Sequence, residues 1–399
     1  MSASFELESV GSSLGVLLAA ALLAACGGSS SPIGNSPDSG GSADSAATQD
    51  APSDTAAPQD AGTDTASPAD TGAPDGATDA GETDAAPIMI TAPDDTWTWV
   101  DIPGARCGDG SATGIGVNPH AGATHLLIYL QGGGACFDAT TCWGASPTAS
   151  NMTGYGATDF STDLTKGLAL FQRGNTGNPW NDADLVFVPY CTGDIHAGAA
   201  VASFTVNNAP KPTYFYGGHN VDADLASLAL SFKSLTHIWL SGVSAGGFGS
   251  FLNQDFVVRA FSGLPVDVID DSGPAVSFPV PVTAIPWGIR LPPACTTCMN
   301  LPDVFAFDRT TYPTSKYGLL TYQTDSTLPA FFGVTEAMFA TQIQTFVTSL
   351  ASDPNAKAFV ALSTGHVVLE ETDTTAAPFI LPWLTQMATD DPAWATVQH

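Results

Sequence analysis

The chain has 399 residues, 44% of them hydrophobic, enough for one large domain or two ordinary ones. Its formal charge is −29, from 39 acidic against 10 basic residues, and the first basic residue is Arg106. Residues 1–88 hold 13 of the acids, which leaves 26 against 10 over residues 89–399. Such a surface excludes nucleic acid and anionic membrane as partners, because both demand basic patches, and disfavours a polyanionic substrate.

Residues 14–25 form an apolar run of signal-peptide length, too short for a membrane-spanning helix. The run ends in Leu23-Ala24-Ala25-Cys26, which resembles a bacterial lipobox and makes Cys26 the expected lipidation site. Glu6 and Glu8, with no Lys or Arg, depart from the usual basic start of such a signal. Lipidated, the protein is expected at the outer membrane or cell surface, touching membrane only through that anchor; with plain cleavage near Ala25 it is secreted. Residues 27–88 are mostly Ser, Ala, Thr, Asp, Pro and Gly, which cannot bury enough apolar surface to offset chain entropy. They read as a disordered acidic linker, and residues 89–399 as a single domain.

In that domain short, nearly continuous apolar runs predict buried strands at 126–130, 185–189, 237–241, 266–269, 319–323 and 359–362. Helical patterns lie at 220–235, 245–260 and 335–350, and more weakly at 378–387, where Pro382 would interrupt. The alternation predicts an α/β fold with a mostly parallel central sheet. Cys107, Cys136, Cys142, Cys191, Cys295 and Cys298 suit three disulfides in an exported chain, although six cysteines allow 15 pairings. Short-range pairing of 136 with 142 and of 295 with 298 would leave 107 for 191. The Cys295-Thr-Thr-Cys298 spacing also fits a redox pair or half a zinc site. No second C-x-x-C exists, and Pro292-Pro293 stand where a redox helix would begin, so a structural bridge is preferred.

Gly242-Val243-Ser244-Ala245-Gly246 follows the 237–241 strand and precedes a predicted helix, the frame in which G-x-S-x-G presents a serine nucleophile. A base and an orienting acid should follow in loops after later strands. Only His366 and His399 lie downstream, and His366 sits just after the 359–362 strand. Asp325 ends the 319–323 run and is preferred as the acid over Asp303, Asp308, Asp270 and Asp271. The amide of Ala245 and those of the Gly132-Gly133-Gly134 loop, which follows the 126–130 strand, are the candidate oxyanion donors.

Together these blocks resemble the pectin acetylesterase and Notum carboxylesterase family. Cys107-Gly108-Asp109-Gly110-Ser111, Leu130-Gln131-Gly132-Gly133-Gly134-Ala135-Cys136 and Val188-Pro189-Tyr190-Cys191 through Asp194 are similar to its blocks, in order. So are Gly242 to Gly247, Asp271-Ser272-Gly273, Tyr322 to Asp325, and Gly365-His366. The resemblance implies a three-layer α/β-hydrolase fold. It also implies a serine esterase with Ser244, Asp325 and His366 as catalytic residues, Gly133, Gly134 and Ala245 as oxyanion hole, and no metal or organic cofactor. The implied substrate is an acylated carbohydrate, with loss of O-acetyl from a polysaccharide as the first expectation. The alternatives are a carboxylesterase for longer acyl esters of lipids or proteins, and a non-catalytic binding lipoprotein on the same scaffold. Gln131, Ala135 and Pro274 replace an acidic and two aromatic residues of the family's pattern, which removes familiar landmarks of the acyl pocket.

Overall fold

The computed structural model describes residues 85–164, 167–369 and 377–399. The expected export signal, Cys26 and nearly all of the linker lie outside them. Eleven strands occur among the described residues. They are β1 (Thr98–Arg106), β2 (Ala112–Asn118), β3 (His125–Leu130), β4 (Asp184–Val188), β5 (Ala200–Val206), β6 (Ala209–Phe215), β7 (His237–Val243), β8 (Val266–Asp271), β9 (Tyr317–Asp325), β10 (Ala356–Gly365) and β11 (Val397–Gln398). Nine lie in one sheet, ordered β1-β2-β4-β3-β7-β8-β9-β10-β11, while β5 and β6 pair as a separate antiparallel hairpin. From β4 to β11 every neighbour is parallel; only β1 on β2 and β2 on β4 run antiparallel. This is the α/β architecture expected from the alternation of elements.

The helices are α1 (Ala139–Trp143), α2 (Ala157–Leu164), α3 (Gly217–Ser231), α4 (Ala245–Leu252), α5 (Gln254–Ala260), α6 (Leu301–Thr311), α7 (Leu328–Phe332), α8 (Glu336–Leu350) and α9 (Ala377–Ala388). Successive strand residues point to opposite faces, so each face buries every second residue. Leu126, Ile128 and Leu130 face one side with Leu240 and Val266, against Val221, Leu225 and Leu228 of α3 and Val257 of α5. Farther along that face Val268, Leu319 and Ala358 meet residues of α4, α6 and α8. Leu127, Tyr129, Trp239, Ile269, Leu320 and Phe359 face the other way, onto Phe160 of α2 and Ile380, Trp383 and Leu384 of α9. The result is three layers, helix on sheet on helix.

Two expectations change in detail. The predicted helix 245–260 is split at Asn253, whose side-chain amide donates to the carbonyls of Gly249 and His196. Competition of this kind, side chain against backbone, is why asparagine interrupts helices. Helix α9 forms although Pro382 lies inside it, because Ile380, Trp383, Leu384 and Met387 bury one face on the sheet. No helix among the described residues is long and apolar enough to cross a membrane.

The cysteines pair 107 with 191, 136 with 142, and 295 with 298. The first bridge spans 84 positions and ties the end of β1 to the chain leaving β4. Because it closes the longest loop, its loss should cost roughly 2–5 kcal/mol. We expect a Cys107→Ser/Cys191→Ser double variant to unfold at lower denaturant than the parent, both measured oxidised; an unchanged midpoint would refute the assignment.

Candidate active site

Parallel register brings the carboxyl ends of five strands to one edge, where open α/β sheets bind their ligands. Leu130 of β3 lies opposite Gly242 of β7, Val243 of β7 opposite Asp271 of β8, and Asp325 of β9 opposite Gly365 of β10. The residues that immediately follow these positions are Gln131–Gly134, Ser244 and His366.

Ser244 sits at the turn from β7 into α4 with φ +53 and ψ −116, a backbone conformation that disfavours any residue with a side chain. Its amide donates to the Asp271 carbonyl at 2.7 Å, which holds the turn. The turn also brings α4 hard against the end of β3. A Cβ on Gly246 would lie 2.0 Å from the Leu130 carbonyl oxygen, so no other residue fits there.

His366 Nε2 lies 2.8 Å from Ser244 Oγ, and Nδ1 lies 2.8 Å from Asp325 Oδ2. Asp325 is fully buried, and its other oxygen accepts the amides of Thr327 and Leu328 at the start of α7. Asp325 thus takes part in three hydrogen bonds. That carboxylate in turn selects the tautomer with hydrogen on Nδ1, leaving the Nε2 lone pair for the serine proton. The structure thus brings Ser244, His366 and Asp325 into one hydrogen-bonded row. The other acids weighed from sequence go elsewhere: Asp303 caps α6, Asp270 accepts the Gly273 amide, and Asp308 lies buried in α6. His399 pairs by its amide with the Val360 carbonyl.

Beside Ser244 the Gly132–Gly134 loop is fixed from several directions. Gly134 has φ +75, and a Cβ there would lie 2.1 Å from the Thr148 carbonyl. Ala135 donates to that carbonyl and Gly133 accepts from the Ser150 amide. Among the described residues the Gly133 and Gly134 amides donate to no protein acceptor. The amide of Ala245 opens α4, where backbone N–H groups are left over. Donors of this kind stabilise a developing oxyanion by roughly 2.7–4 kcal/mol each. The Cys136–Cys142 bridge and a bond from Trp287 Nε1 to the Cys136 carbonyl, 2.6 Å, anchor the loop behind.

Gln131 explains its own departure from an acidic residue. Its Nε2 donates to Asp163 Oδ2 at 2.6 Å, the same oxygen that accepts Tyr155 Oη at 2.8 Å, while its Oε1 accepts the Tyr190 amide. A second carboxylate at 131 would face the first. The Gln131 carbonyl accepts from His196 Nε2 at 2.8 Å. Burial pushes His196 down to about 4, so that ring is a neutral structural prop.

Two cavities open from Ser244. One, of about 250 Å³, is lined almost wholly by apolar groups, among them Phe137, Phe248, Phe278, Trp287, Phe331 and Phe332. Phe278 and Phe332 stack with centroids 4.4 Å apart. The other, of about 860 Å³, is the more polar of the two, although apolar groups still make up much of its wall; it includes Trp97, Gln131, Asn151, Asp163 and His366. The aromatics missing near Gly134 and after Asp271-Ser272-Gly273 are thus replaced from the irregular 278–287 stretch and from α7. Sequence reasoning missed them; a signal was present in Phe331-Phe332, which closely follow Asp325.

A nine-stranded α/β sheet with a serine at the strand-to-helix turn and a histidine and an aspartate from later strands is an α/β-hydrolase-like fold. Within that class, residues 96–279 match the model of the pectinacetylesterase family. Ser244 lies inside the match; Asp325 and His366 lie beyond it. Among curated proteins, the palmitoleoyl-protein carboxylesterase NOTUM of Homo sapiens is 30% identical over 176 residues, 43% of this chain and 33% of that protein. The Mus musculus protein of that name is 29% identical over 174 residues, 43% of this chain and 33% of its own. The one from Schmidtea mediterranea is 28% identical over 158 residues, 39% and 28% respectively. The aligned stretch thus spans about a third of these relatives.

Replacing Gln131 by Glu should set two carboxylates against each other and cost about 1–3 kcal/mol at neutral pH. The loss should shrink as pH falls, because the pair then shares a proton. Thermal midpoints of Gln131→Glu and parent across pH measure this, and a gap that does not depend on pH would refute it.

Proposed function

We propose that the protein is an exported serine esterase that moves an acyl group from an alcohol carrier to water through an acyl-enzyme on Ser244. His366 Nε2 takes the hydroxyl proton as Ser244 Oγ attacks the ester carbon. The amides of Gly133, Gly134 and Ala245 receive the oxyanion. Collapse breaks the ester C–O bond, and the alcohol leaves with the proton held by His366. Water then attacks the acyl-enzyme, gives a proton to His366, and the acid departs as Ser244 recovers its own. Asp325 holds the imidazole and stabilises its protonated form.

The observation that carries the reading is the division of space at Ser244: an almost wholly apolar cavity of about 250 Å³ for the acyl chain and a larger, more polar cleft of about 860 Å³ for the alcohol. A dry apolar cavity of about 150 Å³ takes up a benzene molecule, so by that yardstick the present one suits an acyl chain of roughly six to ten carbons. An acetyl group would leave most of it unfilled. The relatives named palmitoleoyl-protein carboxylesterase support an acyl group beyond acetyl. A second reading, O-acetyl removal from a carbohydrate, is favoured by the polar cleft, where Trp97 can stack on a sugar and Asn151 and Gln131 offer hydrogen bonds. The hydrogen-bonded Ser244–His366–Asp325 row weighs against a purely binding role.

With aryl esters from acetyl to hexadecanoyl, kcat/KM should peak at the middle lengths, and a maximum at acetyl would transfer the assignment to the second reading. Ser244→Ala should lower kcat by at least about 10⁴-fold. Turnover equal to the parent in that variant would end the nucleophile assignment.

A further inference from the structure

Ser244 and His366 leave the sheet from strands three places apart, β7 and β10. At about 4.8 Å per strand the two strand ends stand roughly 14 Å from each other. Yet the His366 ring reaches Ser244 Oγ at 2.8 Å. The chain after β10 therefore doubles back over the ends of β9 and β8, and it is caught there by the last residue of β8. Asp271 Oδ1 accepts the Val368 amide at 3.0 Å, and Oδ2 accepts the Leu369 amide at 2.6 Å. The hydroxyl of the next residue, Ser272, stands between the His366 carbonyl and Asp271 Oδ1, with one proton to share between them. The main chain of Asp271 serves the other partner, since its carbonyl accepts the Ser244 amide. Both Asp271 and Ser272 are fully buried.

We propose that Asp271 is a positioning residue for the reaction assigned above to Ser244, on which this inference rests: its ionised carboxylate ties the base-bearing loop to the backbone of the nucleophile. The hydrolysis scheme has no place for Asp271, which touches neither the imidazole nor the serine hydroxyl by its side chain. It acts through the path of the loop. With both oxygens accepting, Val368 and Leu369 are fixed and His366, two residues upstream, can only point toward Ser244.

The grip depends on pH. Burial pushes Asp271 up to about 7, against the pull of the two amides, Ser272 and the nearby His366. Asp270 beside it on β8 is likewise pushed well above the usual carboxylate range by burial. The residues facing Asp271 in register on β7 and β9, Val243 and Leu320, carry no charge. As pH falls through about 7, Asp271 takes up a proton, one oxygen becomes a donor, and an amide N–H is left facing it without an acceptor. A histidine acting as general base is itself lost by protonation in the same direction. Two protonations then oppose activity, and log kcat/KM on the acid side should steepen toward a slope of two.

The test uses the full chain and an aryl ester. Asp271→Asn presents an amide donor where a backbone amide needs an acceptor, so it imitates the protonated state at every pH. We expect kcat to fall about 10–100-fold, KM to stay within about two-fold, and the acid limb to relax to a slope of one. Ser272→Ala, which leaves the carboxylate in place, should lower kcat less and keep the steep limb. The parent profile is informative whether or not either variant folds, and a parent slope of one overturns the proposal. So does Asp271→Asn with parental kcat, or with its loss entirely in KM. Ser244→Ala separates the two levels. If it retains turnover, the esterase reading fails; if it is inactive while Asp271→Asn matches the parent, only the positioning role fails.

Discussion

The site is governed by a distance problem: a serine from one strand must meet a histidine from a strand three places away. Parallel pairing fixes the spacing of strand ends and cannot be compressed. What can vary is the path of the chain beyond each strand. The turn at Ser244 throws the serine out of the sheet at positive φ, and Asp325 ends β9, the strand between β8 and β10, where its carboxylate meets both the imidazole and the start of α7. Each of these devices shortens the gap, and each requires a residue that would be unfavourable elsewhere. A strained serine, glycines with no room for Cβ and buried carboxylates are all destabilising locally. The three core clusters and the disulfides around them offset that cost.

How much of this was legible in the sequence follows from how locally each feature is encoded. The parallel strands announce themselves as continuous apolar runs because both their faces are covered. Strands β1 and β2 were not foreseen. In β1 the run is broken by Pro103 and Gly104, and in β2 Gly114 and Gly116 read as loop. Gly116 is glycine because the Phe160 ring occupies the space of its Cβ, a contact from another element that no local pattern reveals. The β5–β6 hairpin was missed for a similar reason, since it carries Pro210 and Pro212 in one strand and buries little of its surface.

The hydrogen-bonded row at the site was readable because its members follow strands in chain order, and strand ends are what periodicity locates best. The acyl-sized cavity was not. Its walls come from residues near 137, 248, 278–287 and 331, joined only by the fold, so the loss of two expected aromatics gave no hint of their replacement. Asp271 was weighed as an orienting acid because it ends a strand. Its carboxylate meets backbone amides instead, and only the path of the loop after His366 reveals that.

The two cavities at Ser244 also set an order of events. On the proposed reading the first product, an alcohol, departs through the polar cleft while the acyl chain still plugs the apolar cavity. The incoming water has that vacated cleft as its approach, and it arrives on the face where His366 stands. A bulky alcohol that lingers would therefore inhibit the second half of the cycle by blocking water, and it would stand where it can recapture the acyl group. A small alcohol added in excess could take the same route and intercept the acyl-enzyme, turning hydrolysis into transfer.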